Sequence, residues 1–234
     1  MSRVQIVLVR PETPANIGAA ARVVRNTGLT SLALVAPGDW RTVECWRTAW
    51  GAHDILEQAQ VFPDLVSALA GAHYVAGLSG RRDAGVACLD VRELAVELAG
   101  LRGGERAALV FGPETSGLSL AELALCGRRV RIPSHPDQPS LNLSQAVMVT
   151  AYEVFRAGRR PIAGARRASH AEKQRLLALL REALLAIEAL PAQGTAGYFE
   201  EWQELFQRAD LTPKEVRLLE HMARKMLRRQ TVEG

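Results

Sequence analysis

Through the first two-thirds of the chain, short apolar runs alternate with stretches where apolar residues recur every three or four positions. Val4–Val9 is a β-branched run of strand length whose continuous apolar pattern predicts burial on both faces. Thr13-Pro14 then offers an N-cap followed by proline at the first helical position, and Gly28 is placed to end that helix. The same reading predicts strands at 31–36, Tyr74–Leu78, Ala107–Phe111 and 130–132. It predicts helices at 63–70, at Val91–Ala99 between Asp90 and Gly100, and at 143–155. Strands alternating with helices imply an α/β protein with a mostly parallel sheet covered on both faces. Ligands in such folds bind beyond the carboxyl ends of the strands, here in the loops after Val9, Leu78, Phe111 and Ile132.

Past residue 155 the pattern changes. Residues 156–175 hold seven Lys or Arg against one Glu, with two glycines and one proline, and read as an exposed basic linker. Helical periodicity resumes at 176–190 and 198–208. Thr212-Pro213-Lys214-Glu215 combines an N-cap, a proline at the first position and a glutamate at the third, a capping box that opens a helix to about Arg229. Three helices of this size bury little core alone, so they are expected to pack together or on a partner chain. The chain divides into an α/β unit at 1–158, a basic linker at 159–171 and a small helical C-terminal extension at 172–234.

Composition narrows the class. At 48% apolar and 23% charged, the 234 residues belong to a globular protein rather than a disordered or disulfide-scaffolded one. No apolar run reaches the roughly 18 residues of a membrane span, and the first residues turn polar too soon for a signal peptide. Cys45, Cys88 and Cys126 form no CxxC pair, and His53, His73, His135, His170 and His221 share no metal-ligand spacing. A cytoplasmic protein with reduced thiols and no metal is expected. The net charge of +4 is uneven: residues 156–234 hold 15 basic and 10 acidic residues, against 14 and 15 before them. That asymmetry fits a polyanionic partner, and it equally fits a codon bias, since 26 of the 29 basic residues are arginine.

The phosphate loop, the dinucleotide fingerprint, the HExxH pair and the GxSxG elbow are all missing. Three other segments carry polar residues where an α/β fold binds ligands. In Asn16-Ile17-Gly18-Ala19-Ala20-Ala21-Arg22, small residues open the first helix to close approach, and Arg22 lies six residues after Asn16. Phe111-Gly112-Pro113-Glu114-Thr115-Ser116-Gly117 sets a carboxylate between two glycines directly after a buried strand. Ile132-Pro133 leads to Ser140-Leu141-Asn142-Leu143-Ser144, polar groups at the start of an apolar helix. Each also has a plainer reading, as an ordinary helix with an exposed arginine, a turn with a solvated glutamate, or a capped helix.

Taken in order, NIGAAAR, FGPETSGLS and IPSHPDQPSLNLSQAV resemble the three motifs of the SPOUT superfamily of RNA methyltransferases, in its ribose 2′-O-methylating branch. The likeness covers about residues 3–156, and the helices carrying LTPKEVRLLEHMARKML are similar to the extension of members that methylate cytidine or uridine in the tRNA anticodon loop. The resemblance implies a SPOUT-type domain with a C-terminal trefoil knot, S-adenosylmethionine as cofactor, RNA as substrate and a homodimer with each site completed by the partner chain. It implies catalytic roles for Arg22, Glu114, Ser140 and Asn142. The cofactor would meet Leu78, Ser79, Gly80, Phe111, Gly112, Pro113, Glu114, Gly117, Ile132, Ser140, Leu141 and Asn142. RNA would meet Asn16, Arg22, Arg159, Arg160, Arg166 and Arg167, with Arg224, Lys225, Arg228 and Arg229 gripping phosphates near the C-terminus. The proton acceptor stays open: Arg22 as phosphate binder and alkoxide stabiliser, a transiently neutral Arg22 as base, or Glu114, which also suits orienting the first motif through Asn16. Ribosomal RNA as substrate and a non-catalytic RNA-binding role remain the alternatives.

Overall fold

The computed structural model describes residues 3–29, 31–80, 87–158, 166–189 and 195–233. Its strands are β1 (Val4–Val9), β2 (Ser31–Val35), β3 (Gln60–Phe62), β4 (Tyr74–Leu78), β5 (Leu89–Asp90), β6 (Ala107–Phe111) and β7 (Arg128–Arg131). They form one parallel sheet in the order β3-β2-β1-β6-β4-β7-β5. The central strands β1, β6 and β4 are almost wholly buried, because helices cover both faces. Strand alternation divides the core: Ile6 and Leu8 point into one layer, Val7 and Val9 into the other.

The first layer is built under α1 (Pro14–Thr27), α2 (Val43–Thr48), α3 (His53–Glu57), α5 (Val91–Ala99) and α7 (Leu143–Ala157). The second lies under α4 (Leu65–Leu69) and α6 (Leu120–Ala124). Helix α1 starts where Pro14 predicts and ends at Gly28, whose φ of 65° is the left-handed closure that glycine supplies. Gly18 lets α2 seat against it: a Cβ there would lie 2.0 Å from the Cys45 carbonyl oxygen and 2.2 Å from Thr48 Oγ1.

The predicted strand at 130–132 is observed as Arg128–Arg131, and Ile132 lies just beyond it. The arginines enter the strand because carboxylates wait at its amino-terminal end. The predicted helix at 63–70 shortens to Leu65–Leu69, capped by Asp64. Five short elements, α2, α3, β3, β5 and α6, come in addition to those predicted.

The extension consists of α8 (His170–Ala186), α9 (Thr195–Arg208) and α10 (Pro213–Glu233). Leu176, Leu177, Leu180, Phe206, Val216 and Ala223 form a separate core among them. Helix α8 starts at His170 instead of 176, because Ser169 and Glu172 make a reciprocal capping box. The end of the predicted linker is therefore not exposed: Ala168 is fully buried and its N–H donates to the Leu211 carbonyl.

Candidate active site

Register brings the carboxyl ends of β4, β6 and β7 level, since Leu78 pairs with both Phe111 and Val130. A cleft of about 300 Å³ opens there. Leu78, Phe111, Val130, Ile132, Leu141, Leu143 and Ala146 give it apolar surface, and Ser79, Gly80, Gly112–Gly117, Pro139 and Ser140 supply backbone and polar groups. Every residue predicted for the cofactor lines this cleft except Asn142. Thr115, Ser116, Val130, Pro139, Leu143 and Ala146 line it without having been predicted. Five of these sit inside the quoted motifs and Val130 lies two residues before one; Leu143 and Ala146 are three apart on the first turns of α7.

The loop after β6 owes its shape to its glycines. A Cβ on Gly112 would come 2.3 Å from Gly117 C and Leu118 N, so this loop folds back on itself. Gly117, at φ 66°, closes the turn with its N–H on the Pro113 carbonyl at 2.8 Å.

Between those glycines, Glu114 reaches the first motif. Its carboxylate accepts from the backbone N–H groups of Glu12 (2.9 Å) and Thr13 (3.1 Å) and from Asn16 Nδ2 (2.8 Å). Burial pushes this carboxyl up, but the bonds from Asn16, Glu12 and Thr13 outweigh it and hold it below the usual glutamate range. Thr115 Oγ1 adds a bond to the Glu12 carboxylate, and Arg10 pairs with Glu122, which caps α6. The loop after Val9 does not line the cleft; it is held to the loop that does.

Several predicted site residues are placed otherwise. Asn16, predicted for RNA, is buried, and its side-chain amide donates to Glu114. Asn142 caps α7, its Oδ1 accepting from Ser144 N (2.9 Å) and Ser144 Oγ (2.7 Å). Arg167, predicted for RNA, is turned inward onto Glu105, Asp210 and the Tyr74 ring. Glu114 lines the cleft and also braces the first motif, its carboxylate accepting three hydrogen bonds from Glu12, Thr13 and Asn16. Arg22 is exposed on α1, makes no ion pair or hydrogen bond among the described residues, and does not line the cleft of its own chain. Arg166 is exposed, whereas Arg159, Arg160 and the side chain of Arg229 lie outside the described residues. The Ser140 hydroxyl lines the cleft with no protein partner among the described residues.

Fold and site together define a parallel α/β protein with a small-molecule cleft at the carboxyl ends of neighbouring strands. The chain belongs to the SpoU rRNA Methylase family, whose profile matches residues 3–152. It is 44% identical over 156 residues to the tRNA (cytidine/uridine/adenosine-2′-O-)-methyltransferase TrmJ of Pseudomonas aeruginosa, covering 66% of this chain and 61% of that relative. It therefore matches less than two-thirds of that relative's length. With the tRNA (cytidine/uridine-2′-O-)-methyltransferase TrmJ of Shigella dysenteriae it is 32% identical over 228 residues, 94% of this chain and 93% of the relative. The crystal structure of TrmJ from Z. mobilis ZM4 superposes with a TM-score of 0.82 at 30% identity, covering 95% of this chain and 98% of that one.

Proposed function

We propose that the protein transfers a methyl group from S-adenosylmethionine to a ribose 2′-hydroxyl of RNA, at cytidine or uridine in the tRNA anticodon loop. The observation that carries this is the likeness along nearly the whole chain, extension included, to a relative named as a tRNA (cytidine/uridine-2′-O-)-methyltransferase. The cleft fits the cofactor: apolar surface from Leu78, Phe111, Ile132 and Leu141, glycine backbone open to close approach, and the unpartnered hydroxyl of Ser140. When bound, S-adenosylmethionine supplies an electrophilic methyl carbon for in-line attack by the hydroxyl. The chain's part is to align that hydroxyl and to stabilise the charge it develops. Glu114 holds the first motif against the cleft. Arg22 binds the neighbouring phosphate through its planar fork and stabilises the developing alkoxide.

Arg22 reaches a cleft from a second copy in this reading. Beside α1, helix α7 exposes Met148, Val149, Tyr152 and Phe155, an apolar stripe of the kind that a symmetric dimer covers. The knotted path belongs to the same reading. Strand β7 lies beyond β4 from β6, and α7 returns to pack between α5 and α1. A cytoplasmic location accords with an RNA substrate and three free cysteines.

Labelled S-adenosylmethionine, offered with unmodified tRNA and ribosomal RNA, tests the proposal. Label in the tRNA anticodon loop, absent with Arg22→Ala, is the expected result. Label in ribosomal RNA alone would keep the chemistry and overturn the substrate. No label in either, with the cofactor bound, would leave an RNA-binding role without catalysis.

A further inference from the structure

The extension meets the α/β unit at the end of the sheet opposite the cleft. Gly127, just before β7, makes this possible: a Cβ there would stand 2.2 Å from the Gln207 carbonyl oxygen, so only glycine lets the last turn of α9 come so close. Lys173 Nζ then caps that turn, donating to the carbonyls of Gln207 (3.3 Å) and Ala209 (2.8 Å). Asp210, at the corner between α9 and α10, pairs with Arg128 (2.9 Å) and Arg167 (3.1 Å). Those two guanidiniums lie 5.8 and 5.4 Å from the ring centre of Tyr74, whose hydroxyl donates to Glu97 at 2.7 Å.

This seam is directional and largely polar, while the extension keeps an apolar core of its own. The ion pairs of Asp210 are partly exposed, with its side chain at 44%, and such pairs add little net stability, while their directional geometry favours one arrangement. Polar seams between packed units otherwise permit relative motion. The seam thus sets an angle more than it supplies adhesion. Its anchor points, Tyr74 and Arg128, open the same two strands that reach the cleft at Leu78 and Val130. About 13 Å of strand separates the ends of β4. Lys214, Arg217 and Lys225 are exposed on α10, with no partner among the described residues.

We propose that this seam is a lock that fixes the extension as a rigid arm at a set distance from the cleft, with Gly127 and Asp210 as positioning residues for the RNA substrate. The inference rests on the tRNA reading above. Arg128 and Arg167 serve RNA through the arm's angle, without touching a phosphate.

Two variants of the full chain test it, with tRNA affinity read by filter binding and cofactor affinity by calorimetry. Gly127→Ala changes no charge. Asp210→Asn removes a negative charge, so simple electrostatics would tighten tRNA binding. The lock predicts the reverse: both variants weaken tRNA binding about tenfold and flatten its salt dependence, as fewer phosphates are met at once. Affinity for S-adenosylmethionine stays within about twofold, and hydrogen exchange opens the seam while the amides of the arm's own core stay protected.

Unchanged or tighter tRNA binding with an opened seam overturns the proposal, as does a seam that stays closed in both variants. Parallel loss of cofactor and tRNA binding would make the seam merely structural, and also overturns it. Binding is read without methyl transfer. A wild type that binds tRNA but leaves it unmethylated defeats the proposed activity, and the lock is still judged by the same affinities. A wild type that does not bind tRNA defeats both.

Discussion

Glu114 shows how a single side chain can shape a site by bracing one loop against another. Three donors converge on its carboxylate, and two of them are backbone N–H groups with no other partner near the start of α1. Glu114→Gln turns an amide NH2 toward those donors. It is expected to cost about 1–2 kcal/mol, the lower part of the range for charged hydrogen bonds because the group is partly wetted. The carboxyl sits below its ordinary 4.5 in the folded state. The stabilisation is thus full above that value and fades as pH falls through the lowered one. Urea unfolding of both proteins should show a constant gap near neutral pH that closes in acid; a gap widening in acid would contradict the brace. For Arg22, the planar fork is expected to matter beyond its charge. Arg22→Lys should lose methyl transfer by about 100-fold or more, close to Arg22→Ala, in single-turnover assays.

At the scale of elements, Asn142 and α7 give the sharpest test. If the side chain is a cap and nothing else, Asn142→Ala costs about 1 kcal/mol in thermal unfolding and leaves cofactor affinity unchanged by calorimetry. A large loss of cofactor affinity would restore Asn142 to the cleft. This helix also shows what was legible in the sequence. Strands β1, β4 and β6 and helix α5 have their predicted bounds, because an unbroken apolar run or a cap pair marks both ends. The short α2, α3 and α6 escaped prediction because five or six residues hold too little periodicity, even where Thr42 or Ser119 caps them. The glycine-bracketed loops revealed the cleft for the same local reason. Partner identity was not local. Asn16 and Glu114 are 98 residues apart, and Arg167 meets Glu105 across 62, so polar residues that looked free for RNA or cofactor were already committed.

For the whole molecule, the apolar stripe on α7 and the cation on α1 make one prediction together. Tyr152→Glu places a charge in the middle of the stripe, where Tyr152 is 48% exposed in the single chain. Sedimentation should show a dimer for the wild type and a monomer for the variant, with methyl transfer lost and the cofactor still bound. A wild type sedimenting as a monomer would remove the second copy from the site.

The strand order has a consequence for how the chain is made. Strand β1 lies inside the finished sheet, yet its two neighbours come from very different distances along the chain. Its neighbour on one side, β2, follows soon after, but Val4 pairs with Ala107 on the other. At ordinary synthesis speeds of about 5–20 residues per second, that flank of β1 waits about 5–20 s for its partner. For that interval the nascent protein carries an open, apolar strand edge, a template for wrong pairing that a chaperone would cover.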